Sequence, residues 1–176
     1  MDRAAELIHK GCLAEARSLL SSLDADVLPW VHHARGWVAE HGSGELFDLD
    51  RAAFHYMAAA EAGHADSYYA LGCLLADRDE FSCAREAFHT GVAANHDGCR
   101  TELARLLVHG QGGESDLVRA RELLHAAAEN GYLFANRLLL GIEWRKNRSV
   151  VKRLLILGQL LRLLPKVLSR TKTGFQ

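Results

Sequence analysis

Asp50-Arg51-Ala52-Ala53-Phe54-His55-Tyr56-Met57-Ala58-Ala59-Ala60-Glu61-Ala62-Gly63 is a phrase that the chain repeats. Its pattern is an Ala, an aromatic or Leu four residues on, an Ala-rich run, then a stop. The pattern recurs from Ser82 to Asn95, where Ala84, Phe88, Ala94 and Asn95 hold the same places, and from Val118 to Gly131, with Ala120, Leu124, Ala127 and Gly131. A weaker copy lies upstream, where Ala14-Glu15-Ala16-Arg17 leads to Leu20. The marker alanines Ala16, Ala52, Ala84 and Ala120 are spaced 36, 32 and 36 residues apart. Self-similarity at such a period predicts stacked supersecondary units, none able to bury its apolar face alone.

The rest of the 176-residue chain agrees with a helical reading. It is 49% hydrophobic and 24% charged, as in one foldable unit, and has only two prolines, Pro29 and Pro165. No run of alternating β-branched residues proposes a sheet. The net charge of -1 conceals a division. After Glu143 there are nine basic residues and no acid; all 22 acidic residues precede that point. Such an asymmetric end predicts a separate job for the tail, or attraction between tail and body. The start, Met1-Asp2-Arg3-Ala4-Ala5-Glu6, has an early acid and no apolar h-region, so a cytoplasmic location is the expectation. The longest uncharged stretch in the tail, Leu154 to Leu161, is too short to span a bilayer. Cys12, Cys73, Cys83 and Cys99 form no C-x-x-C pair and are expected to be small, buried or half-buried residues. Cys73 and Cys83 could approach each other across one helix-turn-helix, but pairing them would need an oxidising compartment.

Residues 2–10 and 13–22 read as a first helix pair broken at Gly11, and Pro29 is well placed to open a helix that runs to about His41. Helix 49–62 should stop at Gly63 in the left-handed conformation, and Asn95 is the next best residue for that geometry one unit later. Four residues after each stop stand Ser67, Cys99 and Ala135, all small enough to let a partner helix approach closely. The loops His41-Gly42-Ser43-Gly44 and His109-Gly110-Gln111-Gly112 correspond, whereas Ala76 to Glu80 shortens the middle unit by four residues in a turn.

These residues resemble the Sel1-like repeats, relatives of the tetratricopeptide repeats. Ala65 to Gly72, Gly42 to Gly44, Asp50-Arg51-Ala52, Tyr56, Ala59-Ala60 and Gly63 carry the resemblance, which covers about residues 30–145. Arg35 stands where the pattern has Leu, and Ala104 and Asn95 stand where it has Gly. The resemblance implies an all-α, right-handed α-α solenoid of about five helix pairs, working as a protein-protein scaffold or adaptor. The expected organisation is a degenerate helix pair over 1–28, repeats over 29–147, and a basic amphipathic segment and tail over 148–176.

Nothing in the sequence proposes catalysis or a cofactor. His32 and His33 are adjacent and would point about 100° apart on a helix. His41 and His109 look like helix C-terminal residues, and no H-E-x-x-H or similar ligand pair is present. Neither a metal site nor a cofactor is expected, and the ten histidines read as surface residues. The Gly-x-Gly loops follow no strand and lack the G-x-x-x-x-G-K-[ST] pattern, and no serine sits on a G-x-S-x-G elbow.

A helical solenoid offers instead a concave face lined by the first helix of each pair. His32, Tyr68, Arg100 and Asn136 share one register position on those helices. Tyr69 and Arg137 share the neighbouring one, and Trp37 and Arg105 a third. Aromatic and Arg residues commonly anchor binding surfaces, so these eight are the candidate partner contacts. The bland alternative is that Trp37 and the tyrosines pad helix junctions. In the tail, Val150, Leu154, Leu157, Leu161, Leu164 and Leu168 form an a/d-like stripe, widened by Leu155, Ile156, Leu160, Leu163 and Val167. Lys152, Gln159, Arg162 and Lys166 gather opposite, and Pro165 should kink or restart the helix. Three roles compete for this segment: a cap on the solenoid, an anchor on an anionic membrane surface, or a contact with a second copy or a partner's groove over 148–170. A Leu-rich rather than aromatic tail on an acidic body argues against nucleic acid.

Overall fold

The computed structural model describes residues 2–24, 28–146, 152 and 154–162. Its elements, in chain order, are α1 (Asp2–His9), α2 (Leu13–Ser21), α3 (Pro29–His41), α4 (Leu49–Glu61), α5 (Ala65–Asp77), α6 (Phe81–Ala93), α7 (Asp97–His109), α8 (Leu117–Glu129) and α9 (Leu133–Lys146). A 3-10 turn covers Gly44–Leu46, residues 154–162 are also helical, and there is no strand among the described residues. The chain divides within α7 into two compact units, residues 1–99 and 100–176.

The helix stops are set by backbone chemistry. At the end of α4 the His64 amide donates to the Ala59 carbonyl at 2.9 Å and the Gly63 amide to Ala60 at 3.0 Å. This is a Schellman motif, which needs a left-handed residue between them; Gly63 supplies it at φ +91°. The same pair of bonds recurs at Asn95 and His96, and at Gly131 and Tyr132. Asn95 adopts φ +61° and Gly131 φ +83°, as the alignment of the phrases predicts. The α5–α6 turn reuses the motif with Asp79 at φ +60°, which is how a unit four residues shorter still closes.

Helix starts follow a matching rule. The Asp48 carboxylate accepts from the Arg51 amide at 2.9 Å, and Asp116 accepts from the Arg119 amide at the same distance. Both are N-caps that satisfy an orphan donor of the first turn. Each preceding Gly loop is closed by one bond, from the Asp48 amide to the Ala39 carbonyl and from the Asp116 amide to Leu107. The shortened middle unit starts at Glu80 without a side-chain cap.

In the first unit the core is built where a first-helix glycine meets a second-helix ring. A Cβ at Gly36 would lie 2.8 Å from the Tyr56 ring, and one at Gly72 would overlap the ring of Phe88. Tyr56 and Phe88 are almost fully buried, and the Tyr56 hydroxyl donates to the Glu40 carboxylate at 2.6 Å. Burial first, and that carboxylate second, push the Tyr56 phenol far above its ordinary range, so it stays a neutral donor. Gly91 abuts Cys99 and Tyr68, another close approach that a side chain would prevent. Ser67 and Cys99 are fully buried at the small-residue positions. A separate cluster joins α1 and α2 to α3 through Ala4, Ala16, Leu20, Val31 and Val38.

In the second unit Ala104, Leu106, Ala120, Leu124, Ala127 and Ala135 have no solvent exposure. Ala104 stands in register with Gly36 and Gly72, while Leu124 stands in register with Tyr56 and Phe88. A methyl group is tolerated in the repeat whose facing position carries no ring. Arg121 and Glu143 tie α8 to α9 by an ion pair. Ile156 is buried.

Candidate functional site

The half-buried histidines of α3 and its neighbours do not behave as the surface residues the sequence suggests. His33 and His64 both place Nδ1 on the Ser67 hydroxyl, at 2.8 and 2.9 Å. A hydroxyl has one proton to give, so it donates to one imidazole and accepts Nδ1–H from the other. The two rings lie 4.6 Å apart. Burial, then the nearby His64 charge, hold His33 at about 4, well below the ordinary imidazole value. On the neighbouring face of α3, His32 Nδ1 sits 2.9 Å from His55 Nδ1, a contact that needs one protonated and one bare nitrogen. His55 is likewise held at about 4, by burial first and then by the charges of His32, Arg35 and Arg51. The adjacent pair diverges along the helix, as expected, but both rings find partners that only α4 and α5 could supply.

This arrangement is not a nucleophile site. Ser67 is fully buried, so no substrate carbonyl reaches its oxygen. The nearby Asp66 carboxylate pairs instead with His96 Nε2 at 3.2 Å. His96 Nδ1 in turn accepts from the Cys99 amide at 3.1 Å, so this ring caps the start of α7. Among the described residues no group of three His, Cys, Asp or Glu could hold a metal ion.

The eight candidate contact residues fall into the two units. In residues 1–99, Trp37 packs against the α1–α2 cluster and stacks on His41 with ring centroids 4.3 Å apart. His32 lies edge-on to Phe54, a ring of α4 that is 58% exposed. Tyr68 lies against Gly91, and Tyr69 packs between Phe88 and His96. Each of the four is half-buried, so each does some padding and keeps some accessible surface. In residues 100–176, Arg105 pairs with Glu102 at 2.7 Å, and the Arg137 guanidinium lies 5.3 Å above the exposed Phe134 ring. Arg105 and Arg137 meet at a small cavity of about 80 Å³, with Gly141 and Arg145 beside them. Arg100 and Asn136 are half-buried.

Sequence reading missed a larger cleft in the first unit, of about 420 Å³, where α2, α3 and α4 bring Arg17, Arg35, Arg51 and His55 together. The signal was present in Arg35, which departs from the repeat pattern. Its Nη2 donates to the Leu20 and Leu23 carbonyls at 2.8 and 3.0 Å, covering the end of α2. The cysteines are free; Cys99 is buried and Cys12 and Cys73 half-buried, but Cys83 is exposed, contrary to expectation. Of the predicted tail stripe, Val150, Leu164 and Leu168 lie outside the described residues. Leu154, Leu157 and Leu161 are 62%, 44% and 56% exposed, and burial falls on Ile156 instead. No described helix is long and apolar enough to cross a membrane.

Helix pairs closed by recurrent left-handed stops, with Gly36 and Gly72 each seated on a second-helix ring, make up a fold that is also seen in Sel1 repeat proteins. Two solved structures share that fold. One is a Sel1 repeat protein from Oxalobacter formigenes, 23% identical, with a TM-score of 0.69 over 82% of this chain and 61% of that one. The other is c5321, a protective antigen present in uropathogenic Escherichia coli strains and displaying an SLR fold. It is 22% identical, with a TM-score of 0.62 over 70% of this chain and 28% of that one. The chain thus spans less than two thirds of the length of either protein. No family model and no curated protein matches the sequence.

Proposed function

We propose that this chain is a non-catalytic interaction module that binds a partner protein through the exposed surface of its first helices. The observation that carries the reading is the repeat fold itself, whose first helices present half-buried or exposed aromatic and polar side chains at three recurring register positions. His32, Trp37, Tyr68 and Tyr69 would supply rigid contact area in the first unit, and Arg100, Arg105, Asn136 and Arg137 directional donors in the second. The test is affinity capture from the native cell followed by mass spectrometry, with wild type beside a Tyr68→Ala/Arg100→Ala double variant. The expected result is specific capture that the double variant loses while its helical circular dichroism is retained. Unchanged capture would remove the assignment of this face.

A second reading is favoured by the exposure of Leu154, Leu155, Leu157 and Leu161 beside the exposed Lys152 and Arg162. Apolar and cationic side chains on one short helix suit the interface of an anionic bilayer. On this reading the segment over 148–170 anchors the module, which works at a membrane surface rather than free in the cytoplasm. Cosedimentation of the full chain with vesicles rich in anionic lipid, lost on deleting residues 148–176, is the expected outcome. Equal recovery of both proteins in the supernatant would exclude it.

A further inference from the structure

We propose that the cleft between α2, α3 and α4 binds a small organic anion, a carboxylate or phosphomonoester group carried on a short apolar body. Three guanidinium groups, one from each helix, line it: Arg17, Arg35 and Arg51. No carboxylate is among the described lining residues. Like charges converge at a cost unless something neutralises them, and two of the three lack a full internal counter-charge. Arg17 has no ion-pair partner among the described residues. Arg35 gives two hydrogen bonds to carbonyls through Nη2, which fixes its plane and leaves the Nε and Nη1 protons available. Of the three, only Arg51 has an acid beside it among the described residues, Asp48 at 3.1 Å, in a part-exposed pair.

Two further polar groups line the cleft: Ser21, whose hydroxyl donates to the Ser18 carbonyl, and His55. The His55 Nδ1 is engaged with His32, which leaves Nε2 as the free nitrogen. Burial, with the charges of His32, Arg35 and Arg51, keeps this ring neutral at pH 7, and in the tautomer whose Nδ1 accepts from His32 its Nε2–H donates a hydrogen bond without adding a fourth charge. Beneath the polar rim, Leu20, Val38, Ala39 and Leu46 supply the apolar part of the lining. Planar guanidinium forks match carboxylate and phosphoryl oxygens two at a time, and a hydrophobic wall rewards a ligand with a hydrocarbon portion. A bare inorganic ion would leave that wall unused.

The full chain, labelled with nitrogen-15, is titrated with phenyl phosphate, benzoate, inorganic phosphate and benzyl alcohol while amide shifts are followed. The expected result is saturable shifts on α2, α3 and α4 with phenyl phosphate or benzoate, the tighter of the two identifying the preferred oxyanion. Inorganic phosphate and benzyl alcohol should each bind at least tenfold more weakly. An Arg17→Gln/Arg51→Gln variant should lose at least tenfold in affinity for the anion at an unchanged melting temperature. Should that variant unfold, Arg17→Gln alone serves, since this exposed side chain holds no other element. Benzyl alcohol binding as well as the anions would overturn the proposal, as would inorganic phosphate matching phenyl phosphate. Shifts that fail to saturate, or that persist undiminished in the folded variant, would overturn it too.

Discussion

Gly63 and Gly72 stand close in sequence and are required for different physical reasons. A Cβ at Gly63 would meet nothing within 4 Å, but the backbone there has φ +91°. The cost of Gly63→Ala is therefore conformational, about 1–2 kcal/mol, and Gly63→Asn should recover part of it, as Asn95 does naturally. Gly72 has ordinary helical dihedrals, and its Cβ would collide with the Phe88 ring. Gly72→Ala should cost about 1–3 kcal/mol through overpacking, and a Phe88→Leu second change should relieve it. Urea denaturation of the single and double variants checks both, because additivity of Gly72→Ala and Phe88→Leu would show that the two do not touch. The histidines add a pH dependence. His33 and His55 have folded values of about 4 against an ordinary 6.5, so the unfolded chain takes up protons first. Their contribution to stability is complete above pH 6.5 and is lost as pH falls towards 4. Both rings are part-exposed, so screening holds the loss to about 1 kcal/mol each. A urea midpoint that falls between pH 6.5 and 5 in wild type, and flattens in His33→Gln/His55→Gln, is expected.

At the level of elements, the ranges read from the sequence for α1 to α4 fall within about two residues of the helices observed, because caps and stops are written locally. Asp50 opens the repeated phrase, yet the capping carboxylate is Asp48; Asp50 reaches across to Arg78 at 2.6 Å. A cap shares its hydrogen bond with the third residue of its own helix, and spacing alone does not distinguish two acids two positions apart. Asp116→Ala should destabilise by about 1 kcal/mol, and Asp50→Ala by much less, since its ion pair is solvent-exposed. Thermal melts of the two variants test the assignment. The histidine partnerships and the arginine cleft were not legible in the same way. Arg17, Arg35 and Arg51 lie on three helices, and only the docking of α2 on α3 and of α3 on α4 brings them to one place. A repeat pattern reports what each unit shares, so a site built from residues that the units do not share shows only as a departure from it. Arg35 in place of Leu is that departure.

For the whole chain, the basic end raises the question of which side of its helix does structural work. The sequence stripe through Leu154, Leu157 and Leu161 suits a cap that buries those leucines. These residues are exposed, while Ile156 is 7% exposed and Leu160 half-buried. Ile156 and Leu160 are four apart and share a face, so the packed side is rotated away from the a/d-like stripe. Two faces of one short helix then have separable duties. Ile156→Asp puts an unpaired charge into a packed site and should cost at least about 2 kcal/mol, seen as a lower melting temperature. Leu154→Asp/Leu161→Asp changes exposed positions and should leave the melt within about 1 kcal/mol of wild type. If the outward leucines serve a membrane or a second copy, the same double variant loses vesicle cosedimentation or concentration-dependent association. Should it instead melt like Ile156→Asp, the leucine stripe is the packed face after all, and the tail is a cap.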